Sequence, residues 1–106
     1  MSDERQRTIP QNNSLWKWLT MVAAALNKAD KLIEVDVYGV QMRIRWTKES
    51  VADRFWRPLQ KALTGKDSTT EPTTTEYPEV YHTMCVAIIE ITGVQPPPWP
   101  DRFGGQ

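Results

Sequence analysis

Hydrophobic residues change from a helical to an alternating period at residues 32–46. Reversal of the chain at Tyr38-Gly39 would set Glu34 opposite Arg43 on one face of a two-stranded hairpin. The opposite face would then hold three apolar pairs: Val37 with Val40, Val35 with Met42, and Ile33 with Ile44. Because a lone hairpin is marginally stable in water, we expect this one to lie on a helix.

The segment before the hairpin predicts a helix over about residues 9–28. Thr8 and Gln11 have the spacing of a capping box, and Pro10 suits a first helical turn. The expected apolar face repeats at spacings of four, three and four, with two further residues beside it: Leu15, Leu19, Val22 and Leu26, flanked by Trp16 and Ala23.

A second helix is predicted to start after the cap Thr47 and to end at Gly65. Pro58 lies within it, and we expect a kink or a break there, because the ring blocks a backbone hydrogen bond to Arg54. The predicted apolar face has helical spacing: Val51, Phe55, Leu59 and Leu63, with Ala52 and Ala62.

The remaining chain predicts a polar linker at 66–75, a third helix and a proline-rich tail. Thr73 and Glu76 form a second capping-box candidate, and Gly93 closes the helix. Its expected apolar face is Tyr77, Val80/Tyr81, Met84, Ile88 and Ile91. We therefore expect a mainly α (small α+β) single domain over residues 8–94, with flexible or extended tails at 1–7 and 95–106.

Composition narrows the class of protein. The 106 residues are 40% hydrophobic and 25% charged, which suits one soluble domain with one modest core. No apolar run approaches the roughly 18 residues needed to span a bilayer, so no membrane partner is expected. Cys85 is the single cysteine, which favours a reducing, cytoplasmic location.

Basic and aromatic residues interleave at 43–66, although the net charge of the whole chain is zero. Residues 1–66 carry a net charge of +5, and residues 67–106 carry −5. Clustered cations beside rings attract phosphates and stack on bases. The candidate nucleic-acid-binding residues are Arg43, Arg45, Trp46, Lys48, Arg54, Trp56, Arg57, Lys61 and Lys66. The alternative is solubilising charge over aromatic rings that pack inward.

Other chemistry has weaker support. His82 and Cys85 lie three apart on the third helix, but structural zinc needs four ligands. Glu49 and Asp53 suggest a magnesium-dependent nuclease, although ion pairs explain them more simply. We therefore expect no enzyme and no cofactor. Lys66 and the hydroxyl groups of residues 68–70 have two interpretations: they contact a phosphate of a nucleic acid, or they belong to a solvated linker. The rival class is a protein-interaction module or inhibitor of a host protein, using the acidic third helix or the tail around Trp99.

Five segments carry a resemblance to phage proteins. Residues 7–16 (RTIPQNNSLW) resemble the signature R-S/T-x-x-Q-N-x-x-L-W/H of the NinB (Orf) recombination proteins of lambdoid phages. Small phage early-region proteins of unassigned function have the same pattern at 7–16. They are also similar to this chain at Trp46-Thr47, at 56–62 (WRPLQKA) and at 65–71 (GKDSTTE), and they share the proline-rich character of 94–100. Gln11, Asn12, Leu15 and Trp16 match the NinB pattern by position, and the residues themselves favour structural roles: a cap at Gln11 and core packing at Leu15 and Trp16.

The resemblance implies a phage protein acting in the bacterial cytoplasm. NinB-like proteins are non-catalytic recombination mediators that dimerise, bind single-stranded DNA and interact with the host single-strand binding protein. This chain is shorter and lacks most of the N-terminal portion of NinB, so the NinB dimer interface and DNA channel do not transfer as a whole. The expected function is thus a single-stranded DNA-binding recombination or replication accessory protein, with a homodimer as an accompanying expectation.

Overall fold

The first helix, α1, spans Asp3–Lys28 and buries the predicted face. A computed structural model describes residues 3–100, with side chains from residue 10 onward. The helix begins six residues before the predicted start, because good helix formers at 4–7 extend it past Thr8. Thr8 is therefore not a cap, and the predicted capping box is wrong. Trp16, predicted as core, is partly buried and packs against the core. Trp18, which was not predicted, is fully buried.

The hairpin forms as predicted, with strands β1 (Ile33–Val37) and β2 (Val40–Ile44). All the predicted pairs, including Glu34 with Arg43, are present. Both turn residues have positive φ, 53° at Tyr38 and 83° at Gly39, as a type I′ turn requires. The Asp36 carboxylate accepts a hydrogen bond from the Gly39 amide at 2.7 Å and reinforces the reversal.

The expected packing of the hairpin on a helix is wrong for most of its length. Ile33 at its base is buried and Val35 is partly buried, but the other four side chains of the apolar face are 42–60% exposed. Asn27 at the end of α1 fastens the base, because its side chain accepts from the Trp46 amide at 2.7 Å and donates to the Trp46 carbonyl at 3.0 Å. The hairpin is therefore held at one end only.

The second helix is continuous from 48 to 64 and contains a wider, π-helical turn. It consists of α2 (Lys48–Val51), the π-helical turn Ala52–Trp56 and α3 (Arg57–Thr64). Thr47 caps it as predicted, and Gly65 ends it with φ of 75°. The Arg57 amide donates to the Ala52 carbonyl, five residues back. The wider turn accommodates Pro58 without breaking the helix.

The π-helical turn also changes which residues face the core. One extra residue in a turn rotates the following side chains about the helix axis, so Trp56 and Gln60 point inward and are fully buried. After that turn the predicted stripe holds only at Leu59, which is partly buried and packs against the core. Leu63 is 41% exposed, and Ala62 is exposed. The core of this helix consists of Val51, Ala52, Phe55, Trp56 and Gln60.

The third helix and the tail complete the domain. Helix α4 spans Glu76–Thr92 and buries Tyr77, Val80, Met84 and Ile88 as predicted, whereas Ile91 is 70% exposed. The tail at 94–100 has no helix or strand and packs on the core. The prediction of a mainly α fold with three helices and a two-stranded hairpin is confirmed. No helix in the described part of the chain is long and apolar enough to cross a membrane.

Aromatic rings connect the three helices and the tail. Trp18 lies 6.3 Å from Trp56, 4.9 Å from Tyr81 and 5.7 Å from Trp99, measured between ring centroids. The Trp18 indole donates to the Pro97 carbonyl at 2.8 Å. Because Trp99 packs in this cluster, residues 94–100 are not a free tail. The rest of the predicted tail, 101–106, lies outside the described residues.

Candidate nucleic-acid interface

A cleft of about 590 Å³ opens beside the base of the hairpin. It lies where the hairpin, the π-helical turn and the end of α4 meet, and it brings together three of the nine predicted site residues: Arg43, Trp46 and Arg54. The other lining residues are Asp30, Lys31, Leu32, Ile33, Glu34, Phe55, Ile91 and Thr92. The cleft thus combines three cations with apolar and aromatic walls, a combination that attracts single-stranded nucleic acids, and it also contains two carboxylates, Asp30 and Glu34.

Trp46 supplies the aromatic wall and is held rigidly. Its ring lies 5.6 Å from that of Phe55 at an interplanar angle of 32°, and its indole nitrogen donates to the Lys31 carbonyl. The residue is only partly buried. A ring whose orientation is set by the protein loses little side-chain entropy when it contacts a base.

The nine predicted residues differ in whether their charges are already paired. Arg43 bonds to Asp30 through both its carboxylate, at 3.3 Å, and its carbonyl, at 2.9 Å. By contrast, Arg45, Lys48 and Arg54 are exposed and make no ion pair among the described residues. These three cations can bind phosphate without first breaking a contact with any carboxylate that the structure describes.

Trp56 does not belong to the interface. It is 0% exposed, and its indole donates to Gln60 at 2.8 Å. The expectation that its ring lies at the edge of the helix stripe, available to bases, is therefore wrong in this structure. The reason is the π-helical turn, which places consecutive aromatic residues, Phe55 and Trp56, in the core.

The last three predicted residues lie apart from the cleft lining and have partners. Arg57 pairs with Asp53 at 3.1 Å and lies 5.8 Å from the centroid of the Trp16 ring. Lys61 pairs with Asp67 at 3.0 Å. Lys66 pairs with Glu76 at 2.7 Å, and this hydrogen bond from Lys66 is the main cause that lowers the pKa of Glu76 below its usual 4.5.

The segment 66–75 is an ordered loop rather than the predicted solvated linker. Gln60 donates from its amide nitrogen to the carbonyls of Lys66 and Ser68, both at 2.9 Å. The Glu71 carboxylate accepts from the amides of Asp67 and Ser68 at 3.0 and 2.9 Å. Buried Thr69 accepts from the indole of Trp16 through its hydroxyl and from the Tyr77 hydroxyl through its carbonyl.

These contacts give structural roles to residues that carry the phage resemblance. Gln11 is 3% exposed and donates to the Thr74 carbonyl at 3.3 Å, so it joins α1 to the ordered loop instead of capping the helix. Trp16 contacts the same loop. Gln60, in the 56–62 segment, contacts the same loop from α3.

Sequence reasoning missed Lys31 as a cation of the cleft and Asn27 as the residue that fastens Trp46. Both follow the last apolar residue of α1, so their location in the sequence gave no signal beyond ordinary surface polarity. Only the closure of the hairpin onto the end of α1 places them beside the predicted site.

The described side chains do not form the groups that the alternative chemistries, metal binding and nucleophilic catalysis, would need. Among the side chains that the structure describes, those of residues 10–100, no group of three or more His, Cys, Asp or Glu could hold a metal ion. Burial raises the pKa of the Cys85 thiol, which lowers its thiolate fraction and its nucleophilicity.

No protein-family model matches the chain, and neither a curated protein nor a solved structure matches it.

Proposed function

We propose that this protein is a non-catalytic single-stranded DNA-binding accessory protein, of the kind that acts in phage recombination or replication. One observation carries the proposal: Arg45, Lys48 and Arg54 are exposed cations that pair with no carboxylate among the described residues, and they lie in the segment that also supplies the cleft residue Trp46. The phage resemblance of the sequence supports the biological setting.

Phosphates would bind the free cations, and unpaired bases would enter the cleft against Trp46. Arg43 is less available than Arg54, because it already bonds to Asp30. A cleft of about 590 Å³ accommodates splayed bases but no stacked duplex. Binding would therefore favour single strands, with phosphate attraction supplying most of the affinity.

The test is fluorescence anisotropy of a labelled oligonucleotide at low and at physiological salt. Lys48→Gln with Arg54→Gln removes two unpaired cations, one of them in the cleft. Arg57→Gln with Lys61→Gln removes the same two residue types where each has a carboxylate partner. The first pair should weaken binding at least about tenfold and reduce the salt slope by about 1.4, or 0.7 per lost phosphate contact.

The control pair should weaken binding much less, although it changes the net charge equally. Equal effects of the two pairs would show that general charge, and not this interface, attracts the DNA. No binding by the wild-type protein at low salt would refute the proposed function and favour the protein-interaction alternative. Preference for a duplex competitor would refute the role of the cleft.

A further inference from the structure

The hairpin carries an apolar surface that the domain does not cover. We define the hairpin face as Val35, Val37, Val40, Met42 and Ile44. Val35 is partly buried, and the other four are 42%, 60%, 45% and 45% exposed. Alternation places them all on the side of the hairpin that also carries buried Ile33.

An uncovered face of this kind conflicts with the stability of the hairpin. Two strands alone are marginal, and a hydrophobic face has to pack on something. In this domain the contacts to Asn27 and Lys31 hold only the base. Tyr38 at the tip adds a fully exposed ring with φ of 53°, a conformation that Asn or Gly adopts at lower cost.

The charges of the hairpin limit how another chain can join it. The opposite face carries Glu34 and Asp36 on β1, and Arg43 on β2 continues into Arg45. If two copies paired edge to edge about a two-fold axis, β1 would bring carboxylates together and β2 would bring guanidinium groups together. Like charges in neighbouring strands are destabilising. The apolar face itself carries no charge, so stacking of two faces avoids this repulsion.

We propose that the hairpin face is a self-association surface, on which the hairpin of a second copy stacks face to face about a two-fold axis. Such a contact is closed, because each copy uses the same patch. The face exposes on the order of 400 Å² per copy. Complete burial of both faces would remove about 800 Å² from solvent, and contacts of Tyr38 at the margin would bring the total only towards the roughly 1,200 Å² at which specific interfaces begin. The dimer is therefore weak and depends on concentration.

Sedimentation velocity over a broad range of protein concentration tests the proposal without nucleic acid. The wild-type protein should shift reversibly from the mass of one chain towards the mass of two. Val37→Thr with Val40→Thr keeps the shape and strand preference of both residues but makes the face polar. It should weaken dimerisation at least about tenfold.

The matched control, Glu34→Thr with Gln41→Thr, changes the same two strands on their other face. It should dimerise like the wild-type protein, and circular dichroism should show that both variants are folded. A single-chain mass at the highest concentration would overturn the proposal and leave a different protein as the occupant of the face. Unchanged dimerisation of the Val37/Val40 variant, or growth into open-ended assemblies, would also overturn it.

Discussion

Gln60 should be among the most costly residues to replace, although it is a polar residue on a helix. It is 0% exposed, and its side chain makes three hydrogen bonds, accepting from Trp56 at 2.8 Å and donating to the carbonyls of Lys66 and Ser68 at 2.9 Å. Gln60→Leu retains most of the side-chain volume and removes all three bonds. The substitution therefore isolates the polar contribution.

The expected cost follows from the partners that are left. A buried donor without an acceptor costs about 1–3 kcal/mol, and the Trp56 indole is fully buried. The carbonyls belong to Lys66, which is partly buried, and Ser68, which is exposed, so water can replace part of those bonds at a cost of about 0.5–1 kcal/mol each. Together these give about 3 kcal/mol, a large part of the roughly 5–15 kcal/mol that stabilises a domain.

Urea unfolding followed by tryptophan fluorescence and circular dichroism measures this cost. At an m-value of about 2 kcal/mol per molar urea, the midpoint should fall by about 1.5 M. Leu63→Ala on the same helix is the control, because Leu63 is 41% exposed and should cost less than about 1 kcal/mol. A larger cost for Leu63→Ala than for Gln60→Leu would refute our inference that the π-helical turn rotates Gln60 into the core and Leu63 out of it.

Two further predictions concern the ordered loop and the hairpin turn. Lys66 lowers the pKa of Glu76, so the pair stabilises the fold above pH 4.5 and loses this contribution as the pH falls through the lowered pKa. Glu76→Gln should lower the free energy of unfolding by about 0.5–1 kcal/mol near neutral pH and should not lower it well below pH 4.5. Urea titrations of both proteins at the two pH values measure this; a difference between them that does not change with pH would show that the ion pair is irrelevant. Tyr38→Asn should stabilise the type I′ turn by about 0.5–1 kcal/mol. Hydrogen exchange of the Val37 and Val40 amides, measured at low protein concentration, should then be slower than in the wild-type protein. Faster exchange would contradict the assignment of a type I′ turn.

Local sequence signals determined much of the architecture. The alternation at 33–44 and the Tyr38-Gly39 turn were sufficient for the strand register, because a two-residue turn and one apolar face leave a single consistent pairing. The spacing of Leu15, Leu19, Val22 and Leu26 likewise identified the buried face of α1. Trp18 lies three residues after Leu15 and four before Val22, so the same periodicity would have identified it.

The sequence also identified the cations of the candidate interface, but not which of them are paired with carboxylates. The charge pattern at 43–66 identified Arg45, Lys48 and Arg54 as cations, but it treated all seven cations of the segment alike. Whether a cation is paired depends on carboxylates that the fold brings near it, such as Asp67 beside Lys61 and Glu76 beside Lys66. The sequence gives no distances between such residues.

Tertiary structure alone decided the burial of Trp56 and Gln60 and the exposure of the hairpin face. The π-helical turn before Pro58 changes the phase of the helix, so a constant period of 3.6 residues assigns the wrong face beyond it. The loop at 66–75 has a polar composition but is ordered, because Gln60, Trp16 and Tyr77 satisfy its backbone and hydroxyl groups from three different helices. Local propensity describes each segment separately, whereas these contacts exist only after distant segments have packed together.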